Sequence, residues 1–202
     1  MQLDDDFFST FKQDLQQPSL WKQFHERRGA EGRSTDTADL PPLPDVDAEG
    51  LFWEMMRVSR SPDPYMFPAL KKLKAAGRFL MGALSNTVIF PPGHPYNDDQ
   101  IGLRDQFDFF VSSAHSGLRK PDSRIYEYAL QNMNDVSRGR GGEAIQPSDV
   151  LFLDDIGENL KAARQAGFRT LKVILGKSQY AVKELETITG FPLFDTEERP
   201  KL

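Results

Sequence analysis

The chain contains no cysteine. That excludes a disulfide framework and a thiolate-held metal site, so any metal must find oxygen or nitrogen ligands. No run of 18 apolar residues is present, and the N-terminus lacks the basic-then-apolar pattern of a secretory signal. Basic charge is in deficit: 25 Lys and Arg stand against 30 Asp and Glu, a formal net charge of −5, which argues against a nucleic-acid partner. The histidines, His25, His94 and His115, share no metal-like spacing. These absences point to a soluble cytoplasmic protein with neither membrane nor nucleic acid as partner. What is plentiful is apolar bulk, 39% hydrophobic residues including 15 Phe, enough to build a core in 202 residues.

The first third of the chain reads as helical. Phe8, Phe11 and Leu15 share a face, and Trp21 and Phe24 follow a break at Pro18. Residues 29–48 are polar and bear Pro41, Pro42 and Pro44, so they read as a loop. A second helical stretch, Leu51–Arg60, carries Phe52, Met55 and Met56, and Ser61-Pro-Asp-Pro64 stops it. A third runs from Tyr65 to Gly77. After Gly77 strands appear: Arg78–Leu84, Phe107–Val111, Val150–Leu153 and Thr170–Leu175. Between them lie a polar loop (residues 91–104), a helix entered through Pro121 with Ile125 and Ala129 inward, and a Gly-rich connection (residues 134–149) that includes Arg138-Gly-Arg140. A short helix, about Val182–Ile188, ends the pattern. Strands alternating with helices imply an α/β core with a mostly parallel, Rossmann-like sheet. The expected division is a helical part over residues 1–62 and the core over 63–202.

The chain is organised around Val150–Gly167, VLFLDDIGENLKAARQAG. An apolar strand ends on Asp154 and Asp155, Gly157 turns the chain, and a helix runs on to Gly167, where a left-handed residue is wanted. In open α/β sheets ligands bind at this edge. Two adjacent carboxylates there call for a cation or base, a hard divalent ion being the simplest. The other strand ends carry Ser85 and Asn86, then Lys120 at a helix start. In a parallel sheet all of these ends share one edge. A hydroxyl, an amide, an ammonium and two carboxylates can together hold a phosphoryl group and Mg²⁺.

These segments resemble the haloacid dehalogenase (HAD) superfamily of hydrolases, and most of all the branch of the N-terminal phosphatase domain of soluble epoxide hydrolases and its fungal relatives. Leu84-Ser-Asn-Thr87 is similar to the second motif, Gly117-Leu-Arg-Lys-Pro121 to the third and Phe152–Leu160 to the fourth, with separations of 35 (120−85) and 34 (154−120) residues. The resemblance implies a HAD-type core with a helical cap. Ser85 would bind the transferred phosphoryl group and Asn86 would shape its loop. Lys120 would neutralise negative charge. Asp154 and Asp155 would serve Mg²⁺, with Asp154 the more direct ligand, and Asn159 would support them. The adjacent acids favour Mg²⁺-dependent phosphoester hydrolysis of a small phosphorylated substrate over dehalogenation.

The family's first motif, an apolar strand ending in Asp-x-Asp whose first Asp is the nucleophile, has no counterpart here. Only Met1-Gln2-Leu3 precede Asp4-Asp5-Asp6, and LDDDFFSTF resembles a cap helix. By family layout the fold is expected to be N-terminally truncated by roughly 50 residues, lacking its first strand. The expectation is a chain inactive as written, or alternatively a catalytically dead HAD-like domain that binds a ligand or partner. Loss of that strand would leave two open strand edges. Arg78–Leu84 pairing with Val150–Leu153, insertion of another segment, or self-association by sheet augmentation would each close the gap.

Overall fold

A computed structural model describes residues 3, 5–20, 22–23, 45–97 and 102–194. The chain divides into two compact units, Met1–Ser61 and Pro62–Leu202. No helix among the described residues is long and apolar enough to cross a membrane.

In the first unit α1 (Asp5–Leu15) packs against α2 (Ala48–Ser59). The spacing of Phe7, Phe8 and Phe11 puts their rings around Phe52, at centroid distances of 5.2, 5.6 and 6.1 Å. Asp47 caps α2 by accepting the Gly50 N–H at 2.9 Å. Asp5 and Asp6 open α1 as helical residues rather than ending a strand, and carboxylates are favourable at a helix N-terminus. No strand occurs among the described residues of this unit. Trp21, Phe24, Asp4 and residues 29–44 of the expected loop lie outside the described residues.

The second unit begins with α3 (Met66–Ala76), which Asp63 caps by accepting the Met66 N–H at 2.7 Å. It ends at Gly77, φ 62°, as the sequence demands. Then come β1 (Gly82–Ser85), β2 (Phe109–Ser112), α4 (Ser113–Ser116), α5 (Ser123–Gly139), β3 (Leu151–Asp154), α6 (Gly157–Gln165), β4 (Arg169–Lys172) and α7 (Ser178–Thr189). Four expectations shift. The first strand starts at Gly82, because the preceding Met81 is held by Asp108 on both its N–H and its carbonyl. The fourth stops at Lys172, ahead of a turn closed by Lys177 N–H on Ile174 O. Helix α5 starts after Pro121, on an Asp122 cap, and runs to Gly139, through the first six residues of the expected connection. Arg140 ends it and pairs with Asp108, so Arg138-Gly-Arg140 is helix terminus rather than loop. Helix α7 is also longer than its apolar residues alone suggested.

Strands β1 and β2 pair in parallel, as do β3 and β4, and the ladders form separate two-stranded sheets. Direct pairing of β1 with β3 is therefore not how the edges are arranged. Two apolar clusters nonetheless span both sheets. One joins α3 and α7 (Leu73, Val182, Leu185) to Met81, Leu171 and the partly buried Leu151 and Leu153. The other joins α5 and α6 (Ile125, Tyr126, Ala163) to Val111 and Val150, with Leu84 and Phe152 packed on it. Residues of β3 alternate between the clusters, as strand geometry requires. The strands thus form one layer between two helical layers.

Asp108 anchors the end of this layer opposite the strands' carboxyl termini. Its side chain is buried and meets Lys74, Arg140 and the Met81 N–H. Burial pushes its carboxyl up, but Arg140, Lys74 and the Met81 amide outweigh this and hold it at about 2, below the ordinary 3.8. A depressed folded value stabilises above the unfolded one and is lost as pH falls through the folded one. Stability should therefore decline between pH 3.8 and about 2, and Asp108→Asn should flatten that part of a thermal-unfolding profile.

Gly167, φ 89°, turns α6 into β4, and a Cβ there would meet Pro147 Cβ at 2.9 Å. Gly167→Ala should lower stability by about 1–3 kcal/mol in urea unfolding. Gly157→Ala, where a Cβ meets nothing within 4 Å, should change it by less than about 0.5 kcal/mol.

Candidate active site

The carboxyl ends of β1 and β3 meet through Lys120. Asn86, just past β1, accepts the Lys120 N–H on Oδ1 and donates Nδ2 to the Lys120 carbonyl, both at 3.0 Å. This clamp fixes the lysine backbone ahead of the Lys120–Pro121 peptide, which is cis. The lysine side chain crosses to β3, passes over the Phe152 ring, and sets Nζ 2.7 Å from Asp154 Oδ2. Both partners are largely out of water: the side chains are 11% and 4% exposed.

Asp154 Oδ1 accepts the Ile156 N–H at 2.8 Å and Asn159 Nδ2 at 3.0 Å. Burial alone would raise this carboxyl, but Lys120, the Ile156 amide and Asn159 hold it below the ordinary carboxylate range. Asn159 is itself buried in the first turns of α6, and the Tyr126 hydroxyl donates to its carbonyl at 2.8 Å. Burial and the Asp154 charge push Tyr126 up to about 12, so it stays a donor.

Sequence reasoning did not single out Tyr126, because nothing in Ile125-Tyr126 announces a hydroxyl partner 33 residues away. It missed Ser112 too, which the register sets opposite Ser85. The buried Ser112 hydroxyl shares a hydrogen bond with Thr87 and lies 3.1 Å from His115 Nδ1. A serine ending both parallel strands was the available signal.

The structure thus brings Asn86, Lys120, Asp154 and Asn159 into one hydrogen-bonded network. Ser85 ends β1 beside Asn86, half-buried, and its hydroxyl has no hydrogen-bond partner among the described residues. Asp155 is exposed and outside the network. The two carboxylates therefore differ in their surroundings. Asp154 has two N–H donors on one oxygen and an ammonium on the other, and that ammonium would repel a dication. Asp155 is the carboxylate with oxygens to spare. No group of three or more His, Asp or Glu suited to a metal occurs among the described residues.

The family model for haloacid dehalogenase-like hydrolases matches residues 13–167. The chain belongs to this family. Similar proteins include mouse acyl-CoA dehydrogenase family member 10, 37% identical over 131 residues, 64% of this chain and 11% of that protein. Pig bifunctional epoxide hydrolase 2 is 35% identical over 98 residues, 48% of this chain and 16% of the relative. Enolase-phosphatase E1 of an Enterobacter species is 35% identical over 114 residues, 56% and 44%. The chain spans less than half the length of each. The parallel strands between helical layers are the HAD-like α/β fold, and phosphatases stand among its relatives.

The contrast between the acids is measurable. Asp154→Asn leaves a nearly buried ammonium without its counter-charge and should cost about 3–5 kcal/mol of unfolding free energy. Asp155→Asn should stay within about 0.5 kcal/mol. Urea unfolding of both variants checks the pair.

Proposed function

We propose that this chain recognises small phosphoesters at the Asn86–Lys120–Asp154 network, and that the reaction of the complete site is Mg²⁺-dependent phosphoester hydrolysis. The observation that carries the reading is the Lys120 ammonium, fixed at the strand edge by Asp154 and by the Asn86 clamp. A cation held in place without reorganisation is what a phosphoryl group requires. The hydroxyl of Ser85, with no partner of its own among the described residues, supplies a donor beside it.

Asp155 would hold the metal. Mg²⁺ is commonly bound through one or two carboxylates with water and phosphate completing its shell, so one free carboxylate fits a weakly held ion. When bound, it would offset charge on phosphate oxygens. This chain's residues do the rest: Lys120 balances the phosphoryl charge, Asp154 keeps Lys120 in place, and Asn159 and Tyr126 keep Asp154 in place. The described residues offer no further carboxylate in this network to attack phosphorus. Binding without turnover follows, and a ligand-binding domain is the alternative on the same ground. A cytoplasmic location suits the cysteine-free composition. Self-association would pair the edges of β1 and β3 that carry no strand among the described residues.

Inorganic phosphate should bind, measured by calorimetry or ³¹P NMR, and Lys120→Met should weaken it at least about 10-fold, the loss of one charge-assisted hydrogen bond. Hydrolysis of p-nitrophenyl phosphate with Mg²⁺ should be undetectable. Robust turnover abolished by Asp154→Asn would show that another residue attacks.

A further inference from the structure

Hydroxyl groups gather where β1 and β2 end side by side. Strand β1 closes on Ser85 and continues through Asn86 and Thr87, while β2 closes on Ser112 and passes straight into α4 through Ser113. Thr87 is held there at three atoms. Its N–H donates to Ser113 Oγ at 2.9 Å, its carbonyl accepts the Ser113 hydroxyl at 3.3 Å, and its own hydroxyl shares a hydrogen bond with that of Ser112. Ser112 Oγ in turn lies 3.1 Å from Nδ1 of His115, one turn further along. The Ser116 hydroxyl donates to the Ser112 carbonyl at 2.9 Å, which fixes the backbone under the same serine.

The chain Thr87–Ser112–His115 has a direction. A hydroxyl has one proton to give, and Ser112, only 8% exposed, has two neighbours for it. If Ser112 donated to Thr87, His115 Nδ1 would have to carry a proton. The proton of the half-buried Thr87 hydroxyl would then find no acceptor among the described residues, a costly arrangement. If Thr87 donates to Ser112 and Ser112 donates to Nδ1, both hydroxyl protons are used. That order requires the neutral imidazole with its proton on Nε2. His115 is exposed, so Nε2 is left to water. The imidazole is thus the end of the chain that decides which way the two hydroxyls point.

The turn that this chain holds is the one that carries Ser85 and clamps Lys120. Asn86 binds both backbone atoms of Lys120, and Thr87, the next residue, is bound to the end of β2. We propose that His115 is a positioning residue for phosphate recognition: as the terminal acceptor of the Thr87–Ser112 hydroxyl chain, it holds the Ser85–Asn86–Thr87 turn in the arrangement that presents the Ser85 hydroxyl and keeps Lys120 in place. The inference rests on the phosphoester reading above and adds a residue that touches no ligand and acts through two others. A Ser–His contact can also mark an activated nucleophile. Here the serine is buried and its hydroxyl is shared with Thr87, and no acid among the described residues bonds Nε2 to orient the ring.

Two measurements on the full chain test this. Long-range ¹H–¹⁵N NMR should find the His115 ring neutral, with Nδ1 bare and Nε2 protonated. A proton on Nδ1 would reverse the chain and overturn the proposal, whatever phosphate does. Calorimetry with inorganic phosphate gives the functional reading. His115→Ala should weaken binding about 3- to 10-fold, the loss of one neutral hydrogen bond. His115→Asn, whose Oδ1 offers an acceptor at the same point of the side chain, should recover most of that loss. Ser112→Ala should weaken binding at least as much as His115→Ala, and combining the two should cost nothing more, because the chain is already cut. Unchanged affinity in His115→Ala, or equal losses in the Ala and Asn variants, would overturn the positioning role and leave the phosphoester reading intact. Failure of the unaltered protein to bind phosphate would overturn that reading and the positioning role with it.

Discussion

The ion pair between Lys120 and Asp154 joins what the backbone leaves apart. No strand ladder links the two sheets among the described residues. The clusters above and below are apolar and therefore non-directional. They hold the sheets in one layer without fixing how the strand ends face each other. The directional link runs from Asn86 through Lys120 to Asp154. Asn159 and Tyr126 extend it into α6 and α5. A charge pair this far out of water tolerates little displacement, because either partner alone would bear a large desolvation cost. Among the described residues of the site, this pair alone has both charge and fixed position, so stability and the proposed ligand recognition would converge on it.

Much of this edge was legible in the sequence. An apolar run ending in acids, a turn and a helix closed by Gly167 left few alternatives for Val150–Gly167. The positive φ of Gly167 and Gly77 lies where helices were expected to stop. Gly117-Leu-Arg-Lys-Pro121 drew attention to Lys120, which the fold sets against Asp154, and the family match over residues 13–167 agrees with the resemblance those segments carried. Less was legible where adjacent letters have opposite environments. Asp154 and Asp155 look alike in sequence, yet strand alternation buries the first and exposes the second, and only donors around the first decide which remains available. Helix α5 was drawn short because its last turns, Asn134–Gly139, are polar. Asn134 offsets this by bonding Ile145 on both its N–H and its carbonyl, which ties the helix end to the following chain.

The apolar material of the chain is used in two ways. In the first unit aromatic rings gather around Phe52. In the second, aliphatic side chains fill the two faces of the strand layer. The curated relatives are longer proteins that share this stretch, so their full activities do not transfer with it. What transfers is the HAD-like framework: parallel strands whose carboxyl ends deliver a hydroxyl, an amide, an ammonium and two carboxylates of different availability.

The most direct test is a double-mutant cycle on Lys120→Met and Asp154→Leu by urea unfolding. A pair that links the strand ends should show a coupling energy of about 2 kcal/mol or more, with the double variant more stable than either single one. A coupling below about 0.5 kcal/mol, as for a solvated surface pair, would contradict the account.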